Sequence, residues 1–181
     1  MLLAGTGSGK TEAVVTPIVS RHLRELVFAE RPIVLYIVPT RALANDIFRR
    51  LEPPLERLGI GVGVRHGEQN DLSRSAKPAL LITTPESFDV LLWSQPDVLG
   101  DVQTVIVDEA HLLYNTQRGM QLAILLRRLE LALQRSLQVA ATSATIADGT
   151  ALWVFFRPGV EPVIVEDPTG RGIEHQIRLA L

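Results

Sequence analysis

The chain has 181 residues, 46% of them hydrophobic and 21% charged, which suits one globular domain with a substantial core and excludes a disordered chain. Its net charge of −2, from 18 basic and 20 acidic residues, excludes a global basic field, so any contact with nucleic acid must come from local loops. The lack of cysteine excludes disulfides and cysteine-based zinc sites, and no apolar run reaches the length of a membrane span, so we expect a cytoplasmic protein.

The first predicted element is a short apolar strand, residues 1–3, followed by a glycine-rich turn, AGTGSGKT, at residues 4–11. We call residues 4–11 the phosphate loop, because such a turn before a helix presents backbone N–H groups to phosphate oxygens. Lys10 is expected to reach the β- and γ-phosphates, and Thr11 to ligate Mg²⁺. Ala4 stands where the strict pattern has glycine, which is a mild departure because the position needs a small side chain. The residues expected to bind nucleotide are Ala4, Gly5, Thr6, Gly7, Ser8, Gly9, Lys10 and Thr11.

Strands and helices are then predicted to alternate along the rest of the chain. Apolar runs predict strands over residues 33–38, 61–64, 79–83, 102–107, 137–141 and 163–165. Helical spacing predicts helices over residues 10–29 with a kink at Pro17, over 40–58 with an interruption at Pro53 and Pro54, from Thr84-Pro85 onwards, over the leucines of 122–133, and around 153–156. Residues 69–78 are expected to form a surface loop or a short helix. The pattern predicts an α/β fold with a mostly parallel central sheet and helices on both faces.

Polar clusters follow the predicted strands, so we expect them to meet at one edge of the sheet, where ligands of parallel sheets bind. One cluster, Asp108-Glu109-Ala110-His111, comes directly after an apolar strand. In a chain with a phosphate loop, Asp108 is expected to be the second holder of Mg²⁺, and Glu109 to orient and deprotonate the attacking water. A simpler reading is that these acids only favour the positive end of a helix dipole.

Six motifs, in this order and rough spacing, resemble the first RecA-like domain of superfamily 2 DEAD/DEAH-box helicases. The motifs are residues 4–11, 39–44 (PTRALA), 65–67 (RHG), 84–87 (TPES), 108–111 (DEAH) and 143–145 (SAT). Residues 11–13 (TEA), residues 39–46 and the Arg118-Gly119 pair before a leucine-rich stretch make the Lhr-like DExH subgroup the most similar. The resemblance covers nearly the whole chain and implies a RecA-like P-loop NTPase fold that uses ATP and Mg²⁺.

The resemblance also assigns roles outside the phosphate loop. Residues that track the sugar-phosphate backbone of DNA or RNA, without reading its sequence, are Pro39, Thr40, Arg41, Arg65, Gly67, Thr84 and Pro85. Residues that couple nucleotide state to strand separation are His111 of the DEAH segment, and Ser143 and Thr145, whose hydroxyls hydrogen-bond that segment. Physical chemistry agrees in part, because a helix start offers free N–H groups and Arg41 adds a cation. Thr84 on its own is equally explained as a helix cap.

In the resembled family, an adenine-recognition segment precedes the phosphate loop, and a second RecA-like domain with arginine fingers follows the first. Only three residues precede Ala4 here. We therefore expect a fragment, a truncated reading frame or one subunit of a split protein. Residues 1–167 are assigned to the ATP-binding domain without its upstream segment. Residues 168–181 are assigned to the linker or the start of the missing domain, which is the expected partner in cis or in trans.

The function implied is that of the ATP-binding half of an ATP-dependent DNA or RNA helicase, in which hydrolysis is coupled to strand separation or translocation. Two other functions stay open. A P-loop ATPase that acts on protein has a similar nucleotide site, but it leaves residues 39–44 and 84–87 without an evident role. A non-catalytic relic fragment keeps the fold without performing the chemistry.

Overall fold

The computed structural model describes residues 1–5, 7–67, 69–73, 78–144 and 148–166. The strands are β1 (Leu2–Leu3), β2 (Val34–Ile37), β3 (Val62–His66), β4 (Gln69–Asn70), β5 (Leu80–Thr83), β6 (Thr104–Val107), β7 (Gln138–Ser143) and β8 (Val165–Glu166). The helices are α1 (Lys10–Arg21), α2 (Leu23–Val27), α3 (Arg41–Glu56), α4 (Pro85–Ser94), α5 (Gln117–Leu133) and α6 (Gly149–Phe156). Short 3₁₀ helices lie at Asp71–Ser73, Pro96–Leu99 and Ala110–Leu112. No helix among the described residues is long and apolar enough to cross a membrane.

These strands form one sheet in the order β4-β3-β5-β2-β6-β7-β1-β8. Strands β3 and β4 pair antiparallel, and the other pairs in the described sheet are parallel. In the centre, Val34 of β2 lies in register with Leu80 of β5 on one side and Thr104 of β6 on the other. The predicted α/β fold with a mostly parallel sheet is confirmed.

Alternating side chains of the central strands bury two separate cores, one on each face of the sheet. Leu35 and Ile37 of β2 pack on one face, against helices α4, α5 and α6. Val34 and Tyr36 of the same strand pack on the other face, against α1, α2 and α3. Because both faces are covered, the central strands are apolar at nearly every position, as parallel sheets require.

Two predicted helices differ from the observed ones. The predicted helix over residues 10–29 is divided at His22 into α1 and α2, while Pro17 lies inside α1. The predicted interruption at Pro53 and Pro54 is wrong, because α3 continues through both prolines to Glu56. Leu51 and Leu55 on the buried side of α3 pack its last turn against the sheet, and this packing outweighs the unfavourable propensity of proline.

Several predictions concern residues outside the described part of the chain. In the stretch 69–78, the structure shows β4 and a 3₁₀ helix, and residues 74–77 lie outside the description. The site residues Thr6 and Thr145 and the predicted linker, residues 168–181, also lie outside it. Their assigned roles stay predictions.

A buried ion pair joins α5 to the end of α6. Glu130 Oε1 lies 2.8 Å from Arg157 Nη1 and accepts a hydrogen bond from the N–H of Leu137 at 3.0 Å. Burial acts to raise the pKa of Glu130, but these hydrogen bonds outweigh burial and hold the pKa below its ordinary value. The fold therefore favours the ionised form of Glu130, whose carboxylate connects α5 to the residue after α6.

Candidate functional site

The strand order divides the predicted site residues into two neighbouring groups on one edge of the sheet. Ala4, Asp108 and Ala144 follow the adjacent strands β1, β6 and β7. Thr84 and Gly67 follow β5 and β3, while Pro39 follows the central strand β2. The expected convergence at the carboxyl ends of the strands is confirmed. The first group lies around the phosphate loop and Asp108, and the second group lies beside it, around Pro39, Gly67 and Thr84.

The phosphate loop ends at a helix start that has no capping side chain in the described part of the chain. Gly9 precedes α1 with a left-handed backbone at φ 84°, and Gly7 is left-handed at φ 75°. A Cβ built on Gly5, Gly7 or Gly9 meets no described heavy atom within 4 Å, so the loop faces open space. The other long helices are capped by the side chains of Thr40, Thr84, Thr116 and Asp148. The first N–H groups of α1 are therefore available to an anionic ligand.

Lys10 connects the phosphate loop to the end of β6. Its side chain is only 6% exposed, and its Nζ donates to the backbone oxygen of Ala4 at 3.0 Å. The same Nζ lies 3.5 Å from Glu109 Oε1. A buried cation is thus held at the mouth of the loop, with a carboxylate beside it.

Asp108 is oriented by hydrogen bonds to both carboxylate oxygens. The Tyr36 hydroxyl donates to Oδ2 at 2.8 Å, the Thr142 hydroxyl donates to Oδ1, and the N–H of Glu109 reaches Oδ1 at 3.0 Å. Burial, and then the negative charge of Asp108, raise the pKa of the Tyr36 phenol, so Tyr36 stays a donor at neutral pH. Sequence analysis missed Tyr36, which lies in an apolar strand, and Thr142, which lies one residue before the predicted SAT motif.

Glu109 has a strained backbone and lies between two basic side chains. Its φ of 47° is left-handed, a conformation that costs a residue with a side chain about 1–3 kcal/mol and is common at functional sites. Its carboxylate lies 3.5 Å from Lys10 Nζ and 3.3 Å from His111 Nδ1. The backbone N–H of Ala144 donates to the same Nδ1 at 3.3 Å. His111 therefore links the loop after β6 to the loop after β7.

The predicted hydroxyl contact with the DEAH segment is made by Thr142, whose Oγ1 also accepts from the N–H of Glu109 at 3.2 Å. The Ser143 hydroxyl is buried and has no hydrogen-bond partner within the described residues. The backbone oxygen of Ser143 accepts from the N–H of Ala4 at 3.2 Å, which ties β7 to the phosphate loop. A coupling role for the Ser143 side chain stays a prediction.

The residues near the phosphate loop fit a magnesium ion that is shared with a phosphorylated ligand. Thr11 is buried in the first turn of α1, and Asp108 is buried at the end of β6. A hydroxyl and a carboxylate are hard oxygen ligands of the kind Mg²⁺ prefers. Among the described residues, no group of three or more His, Cys, Asp or Glu side chains could hold a metal alone. The remaining ligands must therefore come from substrate phosphates and water.

The second group of predicted residues surrounds a cavity of about 510 Å³, which we call the α3–α4 cavity. It is lined by Pro39, Thr40, Arg41, Gly67, Thr84, Glu86, Ser87, Val90 and Arg118. Thr40 Oγ1 accepts from the N–H of Leu43 at 3.2 Å, and Thr84 Oγ1 from the N–H of Ser87 at 3.5 Å, so both helix starts face the cavity.

Arg41 covers Gly67 at this cavity, because a Cβ on Gly67 would lie 2.9 Å from Arg41 Nη2. Two other predicted residues do not line it. Arg65 donates from Nη1 to Gln95 Oε1 at 3.4 Å, and partial burial lowers the pKa of its guanidinium. Pro85 is buried as the first residue of α4. Glu86 and Arg118 also line the cavity; sequence analysis quoted both within motifs but assigned neither a role of its own.

Residues 1–152 match the DEAD/DEAH box helicase family. The chain belongs to this family. Among curated relatives, this DEAD/DEAH box domain is 35% identical to the "Lhr helicase/uracil glycosylase" of Escherichia coli (strain K12), over 93% of the chain and 12% of the relative. It is also 35% identical to the "Lhr helicase/ probable uracil glycosylase" of Mycolicibacterium smegmatis, over 99% of the chain and 13% of that relative. The DEAD/DEAH box domain thus spans about an eighth of the length of these relatives, and the predicted Lhr-like resemblance is confirmed.

Solved structures show the same fold. The "Mycobacterium smegmatis helicase Lhr bound to ssDNA and AMP-PNP" superposes with a TM-score of 0.79 at 35% identity, over 93% of this chain and 24% of that one. The "DEAD-box helicase Mss116 bound to ssRNA and UDP-BeF" superposes with a TM-score of 0.77, over 91% of this chain and 36% of that one. At 21% identity, the second likeness concerns the fold of the DEAD/DEAH box domain alone.

Proposed function

We propose that this DEAD/DEAH box domain is the ATP-binding half of an ATP-dependent DNA or RNA helicase. The observation that carries the proposal is the position of Lys10. Its buried ammonium lies between an open glycine loop at an uncapped helix start and the carboxylate of Glu109. A fixed cation, free N–H groups and a nearby base are the parts that phosphoryl transfer requires. The similar Lhr protein was solved with AMP-PNP and ssDNA, which supports both ligand classes.

In the proposed site, the phosphate loop and Lys10 bind the phosphates of ATP, and Thr11 and Asp108 hold Mg²⁺. When bound, Mg²⁺ offsets the negative charge of the phosphates. Tyr36 and Thr142 keep the Asp108 carboxylate oriented through the bonds described above. Glu109 accepts the proton of the attacking water, and the neighbouring His111 accepts a hydrogen bond from the N–H of Ala144 in the loop after β7.

The α3–α4 cavity is the proposed contact with nucleic acid. Thr40 and Thr84 mark two helix starts whose N–H groups suit phosphate oxygens, and Arg41 adds a positive charge. Contacts of this kind hold the sugar-phosphate backbone and carry no base information, so binding is independent of sequence. Pro39 and Gly67 line the cavity, while Arg65 in β3 and Pro85 at the start of α4 support this surface from beside it.

A second RecA-like domain completes the proposed enzyme. An arginine that meets the charge on the transferred phosphoryl group contributes about 10³–10⁵ in rate, and the resembled family supplies such arginines from the second domain. Residues 168–181 are proposed to lead towards that domain, with Ser143 and Thr145 coupling nucleotide state to it. We expect the 181-residue chain alone to bind nucleotide, to turn it over slowly at most, and to separate no strands.

The test measures steady-state ATPase activity and duplex unwinding, with and without saturating oligonucleotide. The 181-residue chain is compared with a protein that carries both RecA-like domains. Stimulation of the two-domain protein by oligonucleotide, with little activity of the single chain, is the expected result. A two-domain ATPase that oligonucleotides do not stimulate would favour a protein substrate. Strong stimulated turnover by the monomeric 181-residue chain would contradict the need for a second domain.

A further inference from the structure

One guanidinium connects the beginnings of three helices beside the α3–α4 cavity. Arg118, in the first turn of α5, donates from Nε to Glu86 Oε1 at 2.5 Å and from Nη2 to Glu86 Oε2 at 3.1 Å. The same Nη2 donates to the backbone oxygen of Pro39 at 2.6 Å. A planar fork bonded to both oxygens of a carboxylate has a defined direction, so this side chain is a rigid link between elements.

Both partners of Arg118 lie where the direction of a helix is set. Glu86 is the second residue of α4, directly after the start that Thr84 caps. Pro39 immediately precedes Thr40, which caps α3. These two helix starts present the N–H groups that the proposed function assigns to phosphates. A movement of either helix would therefore change the spacing between two phosphate positions.

The helix that carries Arg118 begins in a turn with little freedom. Thr116 Oγ1 accepts from the N–H of Gly119 at 3.0 Å and donates to the backbone oxygen of Leu113 at 2.8 Å. A Cβ on Gly119 would lie 1.9 Å from that Leu113 oxygen, so the two backbone segments are in close contact. The backbone that carries Arg118 is therefore held in place, as its guanidinium is.

Arg118 also balances a negative charge at the cavity wall. The carboxylate of Glu86 lines the cavity and would repel a phosphate if it were left without a cation. The hydrogen bond from Arg118 is the largest of the effects that lower the pKa of Glu86, and the same bond raises the pKa of Arg118. The charges of Glu86 and Arg118 therefore offset each other at the cavity wall.

We propose that Arg118 is a positioning residue for nucleic-acid binding, which keeps the starts of α3 and α4 at a fixed spacing and neutralises Glu86 without contacting a phosphate itself. The inference rests on the proposed function, because it assumes that the α3–α4 cavity receives the backbone of a DNA or RNA strand. The competing role is a direct phosphate contact, in which Arg118 leaves Glu86 when the strand binds.

The first experiment measures binding of labelled oligothymidylate and oligouridylate to the 181-residue chain by fluorescence anisotropy over a range of salt concentrations. We expect Arg118→Ala to raise Kd about tenfold, because the helix spacing is lost and Glu86 becomes an uncovered charge. The double variant Arg118→Ala/Glu86→Gln should bind more tightly than Arg118→Ala, since the repelling charge is gone. The slope of log Kd against log salt should equal that of the wild type in the double variant, where no uncovered charge remains to be screened by salt.

A direct phosphate contact gives different results. In the double variant, loss of Arg118 would then reduce the salt slope by about 0.7 for a single strand. Glu86→Gln alone would tighten binding, because it would release Arg118 to the phosphate. Either result, or an unchanged Kd in Arg118→Ala, overturns the positioning role. If Arg118→Ala does not fold, Arg118→Lys keeps the charge without the fork and should raise Kd with an unchanged slope, whereas an unchanged Kd rejects the proposal.

The second experiment needs no nucleic acid and measures amide hydrogen exchange in the same proteins. The N–H groups of Leu43 and Ser87 are bonded to the cap hydroxyls of α3 and α4, so Arg118→Ala should accelerate the exchange of both. The N–H of Ala13 in α1 is the internal control and should not change. If exchange at Leu43 and Ser87 is unchanged while the wild type binds normally, the positioning role of Arg118 is rejected and the proposed function is not. A wild-type chain that binds neither oligonucleotide at low salt rejects the nucleic-acid part of the proposed function, and the positioning role with it.

Discussion

Replacement of Lys10 by alanine tests the nucleotide site most directly, because a single buried ammonium serves several groups there. Its Nζ lies 3.0 Å from the backbone oxygen of Ala4 and 3.5 Å from Glu109 Oε1, with 6% of the side chain exposed. Lys10→Ala removes the ammonium that lies within ion-pair distance of Glu109 at the phosphate loop. The incoming phosphates then meet the carboxylate of Glu109 without a compensating charge.

The size of the effect follows from the type of contact that is lost. A hydrogen bond between an ammonium and a phosphate contributes about 1.5–3 kcal/mol, since both partners are charged. That range corresponds to a roughly ten- to hundredfold increase in Kd. The buried position of Lys10 favours the upper part of the range, because a charge shielded from water is screened less.

Titration with a fluorescent ADP in the presence of Mg²⁺ gives the Kd of wild type and Lys10→Ala. Arg24→Ala is the matched control, because it also removes one positive charge but changes an exposed residue of α2, outside the site. We expect wild-type affinity for this control. Urea denaturation of all three proteins checks that the fold is retained.

Equal affinities of wild type and Lys10→Ala would refute the assignment of residues 4–11 as a phosphate-binding loop. A similar loss in Arg24→Ala would indicate a general effect of net charge rather than a local contact. Only a loss that is confined to Lys10→Ala supports the reasoning.

Four further predictions concern the same elements. In the two-domain protein, Glu109→Gln should keep Mg-ATP binding and lose about 10²–10⁴-fold in turnover, and normal turnover would refute its role as the base. Thr142→Val removes a hydroxyl bonded to Asp108 and should lower the free energy of unfolding by about 1.5–3 kcal/mol in urea, whereas a neutral result would show that the bond is dispensable. Gly119→Ala places a methyl group against a backbone oxygen and should lower the free energy of unfolding by about 3 kcal/mol. An unchanged free energy of unfolding would show that α5 can shift to make room. The lowered pKa of Glu130 means that its stabilisation is full above its unfolded pKa of about 4.3 and is lost as the pH falls through the lower folded value. Glu130→Gln should therefore flatten the acid limb of a stability–pH curve, and an unchanged limb would contradict this origin.

Some features of this protein followed from local sequence alone. The phosphate loop is a contiguous turn between a strand and a helix. Its Gly7 and Gly9 adopt the left-handed backbone that the turn needs, and this requirement does not depend on the rest of the fold. Apolar runs predicted the parallel strands for a similar reason, because burial on both faces leaves few polar positions in a strand. Helix ends were predicted less well. Packing of Leu51 and Leu55 carries α3 through two prolines, and no local rule contains that packing.

Contacts between distant side chains were decided only by the tertiary structure. The strand order sets β1 beside β7 and β7 beside β6, and this adjacency lets Lys10 reach Glu109. Sheet register decides that the hydroxyl of Thr142, and not that of Ser143, meets Asp108. Successive side chains of a strand point to opposite faces, so adjacent residues such as Thr142 and Ser143 contact different groups. A sequence motif does not show which of the two residues makes the contact. The link from Arg118 to the starts of α3 and α4 has the same origin, because residues distant in the sequence meet there only in the tertiary structure.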